Sequence, residues 1–221
     1  MTLATVLPAY NEPRDRLLAS VTSALEVSDL VVVADDGSRE PIAPIAGVEV
    51  VRYPNAGPAA AMNRGVEAAL ALGATRIARL DVGDRFIADA KRRQLAVDAR
   101  AVCSWHIDPV EAKVFVPLPH WRRAIYWDGA FCVCTCVVTA DVWREVGGFD
   151  ESLRYGDDWD WTMRVEAAIG WTMHEEATCV AGAFDGGHTR SAPPARRHAC
   201  MVEVGRRGVE LRKRIPHAPR L

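Results

Sequence analysis

Four short apolar runs, each closing on turn residues and separated by stretches of helical periodicity, constrain this 221-residue chain more than any other feature. "TLATVLPAY" reaches its turn at Pro8, "LVVVADDGS" runs from Leu30 into the turn residues Asp35 to Ser38, "VEVVRY" spans Val48 to Tyr53, and "TRIARLD" spans Thr75 to Asp81. Short runs rich in Val and Ile that end on such residues read as strands buried on both faces. Between the first two, "PRDRLLASVTSALE" places Leu17, Leu18, Val21 and Leu25 on one helical face. "NAGPAAAMNRGVEAALALG" starts a second helix near Pro58 and stops it at Gly73, with Met62, Val66, Ala69 and Leu70 facing inward. "IADAKRRQLAVDA" reads as a third helix. This alternation predicts a parallel α/β sheet covered on both faces.

After Ala101 the rhythm changes. "AVCSWHI", "KVFVPL" and "GAFCVCTCVV" read as strands without intervening helices, which predicts a mixed or antiparallel second half. "TADVWREVG" reads as a short helix, and "GDDWDWTMRVEAAIG" as a longer one with Trp161, Val165, Ala168 and Ile169 on its buried face. A final helix is expected from Ala195 to about Ile215, after the Pro193-Pro194 break. The chain divides into one domain over residues 1–191 and a basic helical appendage over 192–221.

Cys132, Cys134 and Cys136 alternate, which on a strand puts all three on one face. Positions two apart do not readily wrap one tetrahedral zinc, and the sequence has no Cys-x-x-Cys pair, so buried reduced thiols are expected. No run of about 18 apolar residues occurs. The N-terminus lacks a basic region leading into an apolar stretch, and together these point to a soluble, cytoplasmic protein. The net charge of −2 hides an uneven distribution: from Thr189 onward there are nine Lys or Arg and two Glu. Such a tail either forms a solvated helix face or attracts phosphate-rich partners.

In an open α/β sheet, ligands bind beyond the carboxyl ends of the strands. Here those ends carry "PAYNE", "ADDGS", "YPNAG" and "LDVGD", a rim holding Glu12, Asp35, Asp36, Asp81 and Asp84. So acidic a rim suits a diphosphate only with a hard divalent cation between them. For any one of these acids, capping a turn is the plainer role.

"VLPAYNE", "VVVADDGS", "LDVGD" and "VGGFDESLRYGDDWDWTMR" resemble, in order and spacing, the motifs of the family 2 glycosyltransferases, over roughly Thr2 to Ser191. The resemblance implies a GT-A (Rossmann-like) three-layer sandwich with a mostly parallel central sheet, a mixed second half and a C-terminal basic helix. It also implies inverting transfer from a nucleotide-sugar, with uridine the default nucleotide, and a divalent cation, Mn2+ or Mg2+. By the same resemblance Pro8, Tyr10 and Asp36 would hold the nucleoside, with Glu12 near it and Asp81 at the ribose or a metal-bound water. Asp84 and His188 would meet the cation. The family motif usually reads Asp-x-Asp-Asp, and here Gly83 replaces its third position.

"GDDWDW" resembles the stretch carrying the catalytic base, and spacing to Arg164 selects Asp158 for that role and Asp157 for capping. Trp127, Asp128, Gly129 and Arg190 are the candidates to face donor sugar and acceptor, although Trp127 equally suits a core position. The family is compatible with several acceptors, among them cell-surface glycans, lipid-linked glycans and hydroxymethylated DNA. The basic tail is the one feature that favours DNA. A catalytically silent module that binds a nucleotide-sugar or nucleic acid is the alternative from another class.

Overall fold

The computed structural model describes residues 1–109, 112–117, 122, 125, 133–181 and 194–213, the last helix with side chains from residue 198 onward. The strands are β1 (Leu3–Ala9), β2 (Leu30–Asp35), β3 (Glu49–Arg52), β4 (Arg76–Arg79), β5 (Arg85–Phe86), β6 (Ala101–Asp108), β7 (Lys113–Phe115), β8 (Val137–Thr139) and β9 (Thr172–Val180). The helices are α1 (Arg14–Leu25), α2 (Pro58–Ala71), α3 (Ala88–Leu95), α4 (Ala140–Val146), α5 (Asp157–Ala168) and α6 (Pro194–Lys213).

Among the described residues these strands make one sheet in the order β3-β2-β1-β4-β8-β6-β9-β5, with β7 paired to β6. The first four are parallel, as the alternation predicts. Beyond β4 the sheet turns mixed: β8 is antiparallel to both β4 and β6, β9 is parallel to β6, and β5 is antiparallel to β9. β1 lies in the middle of the parallel half, and Ala4, Val6 and Leu7 have no exposed surface, so it is apolar on both faces.

The chain steps from β1 outward to β2 and β3, then crosses back over α2 to β4 on the other side of β1. Strand order therefore reverses between β1 and β4, the place where open α/β sheets form their binding crevice. α2 can lie close on the sheet because residue 65 is glycine: a Cβ there would sit 2.4 Å from Val6 Cγ1 and 3.1 Å from the Ala34 Cβ.

Several details depart from the sequence reading. Leu25 is 41% exposed, while Ser20 and Ser23 of α1 are buried. Their hydroxyls accept hydrogen bonds from Gly83 N at 2.8 Å and Phe86 N at 3.2 Å, so α1 turns small polar residues toward the backbone that follows β4. Ala168 is exposed at the end of α5. Val133–Thr135 is a 3-10 turn rather than part of a strand, so Cys134 and Cys136 do not alternate on a pleat, although both are buried. Cys132 lies outside the described residues. β5 and β9 have no counterpart in the sequence reading. Trp143, Phe149, Trp161 and Trp171 pack with ring centroids 5.1 to 5.9 Å apart and fix α4 and α5 on the sheet.

Candidate functional site

The loops after β1 and β4 face each other across the reversal point. After β1, Tyr10 is 49% exposed and Asn11 takes a left-handed backbone (φ +53°), which asparagine tolerates better than most residues. Asn11 N donates to Ser38 Oγ at 2.9 Å and Asn11 Oδ1 accepts from Arg39 N at 2.8 Å, stitching the loops after β1 and β2 together. Pro8, half-buried, pairs in register with Ala34. Glu12 is 3.9 Å from Arg16; burial raises its pKa, Arg16 lowers it and Asp81 raises it further, for a net upward shift.

The two acids at the end of β2 hold structure together. Asp35 accepts from Ser38 N at 2.8 Å and Arg52 Nη1 at 2.5 Å. Burial pushes its carboxyl up, and these hydrogen bonds more than offset that, leaving it below its usual value. Asp36 accepts from Asn55 Nδ2, Ala56 N and Gly57 N at 2.8 to 2.9 Å and so pins the loop entering α2. A nucleoside N–H would therefore share this carboxylate with the loop.

After β4, Asp84 N donates to Asp81 O at 2.9 Å, closing a tight turn in which Gly83 has φ +108°. A left-handed backbone of this kind disfavours any residue with a Cβ, and it accounts for glycine where the family pattern has a carboxylate. Asp84 is 8% exposed, and the Asp81 side chain is 41% exposed. One oxygen or sulfur atom from each of Asp81, Asp84 and Cys134 falls within 4.8 Å of the others. Two carboxylates on a tight turn, with a further donor beside them, fit a divalent cation.

Arg79 joins this turn to α5. Its Nε donates to Asp81 Oδ1 at 2.7 Å, its Nη1 lies 3.9 Å from Asp157 Oδ2, and its guanidinium sits 5.3 Å from the Phe149 ring centroid. Burial acts to lower the Arg79 pKa, but Asp81, Asp157 and Asp158 more than offset it and hold the charge firmly. Nη1 of Arg79 and Oδ2 of Asp157 are buried and lack a hydrogen-bond partner among the described residues. The sequence signal for Arg79 was a charged residue within an apolar strand, two positions before Asp81 and so on the same side of the pleat.

α5 begins after Gly156, whose φ is +76°, and no side chain makes a capping hydrogen bond there. Asp157 is thus not the cap that its position suggested. Asp158 Oδ1 accepts from Trp159 N at 2.8 Å, on the first turn, where the helix dipole favours negative charge. Arg164, held within α5 by Asp160 Oδ2 at 2.8 Å, ties the helix to the preceding segment through Val146 O at 2.9 Å and Gly148 O at 2.7 Å. A Cβ on Gly156 would lie 3.3 Å from Met201 Sδ and Val204 Cγ2, so α6 presses against the start of α5. His188, Trp127, Asp128, Gly129 and Arg190 lie outside the described residues.

Burial raises the Asp157 carboxyl from 3.8 to about 6, Arg79 works against that shift, and Asp158 and Asp81 add to it. The folded protein binds this proton more tightly than the unfolded chain. The associated stability is complete below pH 3.8 and is lost as pH rises through about 6. Asp157→Asn is expected to raise the Tm relative to the parent more at about pH 7.5 than at about pH 5, as read by thermal denaturation across that range.

Residues 5–95 match the family model for Glycosyl transferase family 2. The chain is similar to that family over this segment, which is under half of its length. The match covers β1 through α3, the half that carries the reversal point and the Asp81–Asp84 turn. No curated protein sequence matches the chain. Among solved structures, TarS 1–349 from S. aureus in complex with UDP-GlcNAc is similar at TM-score 0.71 and 18% identity, over 92% of this chain and 65% of that one. The same protein in complex with UDP gives 0.64 and 16%, over 95% and 72%. A longer TarS structure gives 0.65 and 16%, over 92% of this chain and 43% of that one, so this chain spans under half of that protein. At such identities the likeness concerns the fold, and it agrees with the family 2 GT-A architecture that the motif order implied.

Proposed function

We propose that this family 2 glycosyltransferase moves a sugar from a UDP-sugar to an acceptor hydroxyl in one displacement with inversion. The observation that carries the reading is the convergence of two elements: the Asp81–Asp84 turn after β4 and the Asp157-Asp158 start of α5, bridged by buried Arg79. Support for the donor comes from the UDP and UDP-GlcNAc complexes of the TarS structures that share the fold.

Tyr10, exposed beside the crevice, offers a ring for the base, and Pro8, Glu12, Asp36 and Asp81 line the nucleoside side. Asp84, with Asp81, would hold Mn2+ or Mg2+, and His188 belongs to the same role by family resemblance. When bound, the cation offsets charge on the departing diphosphate. Asp158 accepts the proton of the acceptor hydroxyl as the new bond forms, since a neutral hydroxyl is a poor nucleophile. Arg79 holds Asp81 in place and shares its charge with Asp157.

For the acceptor, the ion pairing of α6 favours a glycan or lipid-linked hydroxyl over DNA. Arg206 and Arg207 pair with Glu203, Arg207 also reaches Asp150 and Asp160, Lys213 pairs with Glu210, and Arg212 is buried. Arg207 and Arg212 are thus engaged within the protein, while Arg206 and Lys213 pair only with glutamates of α6 itself. Among the described residues no helix is long and apolar enough to cross a membrane.

The test is a panel of nucleotide-sugars with Mn2+, scored for UDP release and for mass gain on glycans, lipid-linked sugars and hydroxymethylated DNA. Turnover with a UDP-sugar and a glycan or lipid-linked acceptor is expected. Donor binding without turnover on any acceptor would instead identify a silent binding module. Mass gain on DNA, with affinity that falls steeply with salt, would overturn the acceptor assignment.

A further inference from the structure

We propose that Cys134 supplies a sulfur donor to the cation held at Asp81 and Asp84, so that this site takes a borderline cation such as Co2+ or Zn2+ in preference to the hard Mg2+. The inference rests on the glycosyltransferase reading only in placing a cation at this turn.

The sulfur is brought there by the fold. The 3-10 turn Val133–Thr135 packs under the end of β4, and Asp81 N donates to Cys134 Sγ at 3.4 Å. That backbone contact holds the sulfur against the same turn whose carboxylates reach within 4.8 Å of it. Cys134 has no exposed surface, so its thiol faces the turn rather than solvent. Asp157 Oδ2, in a residue only 6% exposed, lacks a hydrogen-bond partner among the described residues and stands 3.9 Å from Nη1 of the Arg79 that grips Asp81, so one guanidinium answers to both carboxylates. The acids around Arg79 outnumber it, and the surplus negative charge is what a divalent cation offsets.

Two carboxylates alone are a hard donor set that magnesium satisfies. A thiolate shifts preference toward softer first-row ions, because magnesium dehydrates reluctantly and gains little from sulfur. Binding deprotonates the thiol: the S–H bond breaks, a metal–sulfur bond forms, and one proton leaves to the buffer. No oxidant or reductant enters the step.

The experiment uses the full chain and Co2+ alone, with no donor sugar. A sulfur-to-cobalt charge-transfer band in the near ultraviolet is expected on titration, accompanied by proton release in a weakly buffered solution. Cys134→Ser should abolish the band and weaken Co2+ binding by roughly tenfold or more, a loss of the kind metal-site changes give. Asp84→Asn should also abolish it while leaving every cysteine in place, which keeps the test valid if Cys134→Ser folds poorly. A band that persists in either variant, or Co2+ binding by calorimetry without any band, overturns the proposal. Calorimetry with UDP in the presence of Mn2+ separates the two readings: UDP binding without a cobalt band defeats the sulfur ligand alone, whereas loss of both defeats the donor-site assignment as well.

Discussion

Asp158→Asn is expected to lower sugar transfer by about 10²- to 10⁴-fold, the range that a positioned general base contributes, while the affinity for UDP-sugar stays within a few-fold of the parent. The substitution keeps the size of the side chain and the hydrogen bond that Trp159 N donates to Oδ1, so the first turn of α5 is preserved. What it removes is the negative charge that takes the acceptor proton. Steady-state transfer and calorimetric donor binding on the same preparation make the comparison. A variant that keeps more than a few per cent of turnover would take Asp158 out of this role and direct attention to Asp157, one residue earlier and with its carboxyl pushed up to about 6.

Arg79→Met is expected to destabilise the fold by about 3–5 kcal/mol at neutral pH, the cost of leaving the buried Asp157 carboxylate without its partner. Arg79 has a side chain 10% exposed, bonded to Asp81 and facing Asp157, so methionine fills the space but supplies no charge. Asp157 would then rise further in pKa and Asp81 would lose the contact that fixes its carboxylate. Urea unfolding at two pH values separates charge from packing. If charge dominates, the loss shrinks markedly toward about pH 4, where Asp157 is protonated. An equal loss at both pH values would assign the effect to the contact with the Phe149 ring.

The parallel half of the fold was legible because apolar runs and helical spacing are local signals. β1 to β4 and both crossover helices fall where "TLATVLPAY" through "TRIARLD" placed them, and the rim that carries Asp81 and Asp84 follows from strand order. Legibility fell where a residue's role depends on a distant partner. Ser20 and Ser23 interrupt the apolar face of α1 because they meet the backbone of residues 83 and 86, far along the chain. The nucleoside role expected of Asp36 gave no hint that its carboxylate also accepts hydrogen bonds from residues 55–57. Cys134 is the buried free thiol that was expected, but its closeness to Asp81 is set by the packing of a 3-10 turn that no local pattern announces. β5 and β9 were missed for a related reason. A two-residue strand carries no periodicity, and β9 alternates only weakly between half-buried and exposed positions.

The contact of Met201 and Val204 with Gly156 makes the last helix a backstop for the N-terminal end of α5. The left-handed residue that aims Asp157 and Asp158 is held from behind by apolar side chains some 50 positions later in the chain, and Arg207 anchors that support to Asp150 and Asp160. The basic tail therefore bears on the crevice mechanically: whatever lifts α6 from α5 loosens the turn that sets Asp157 and the proposed proton acceptor Asp158, whether or not it touches the crevice.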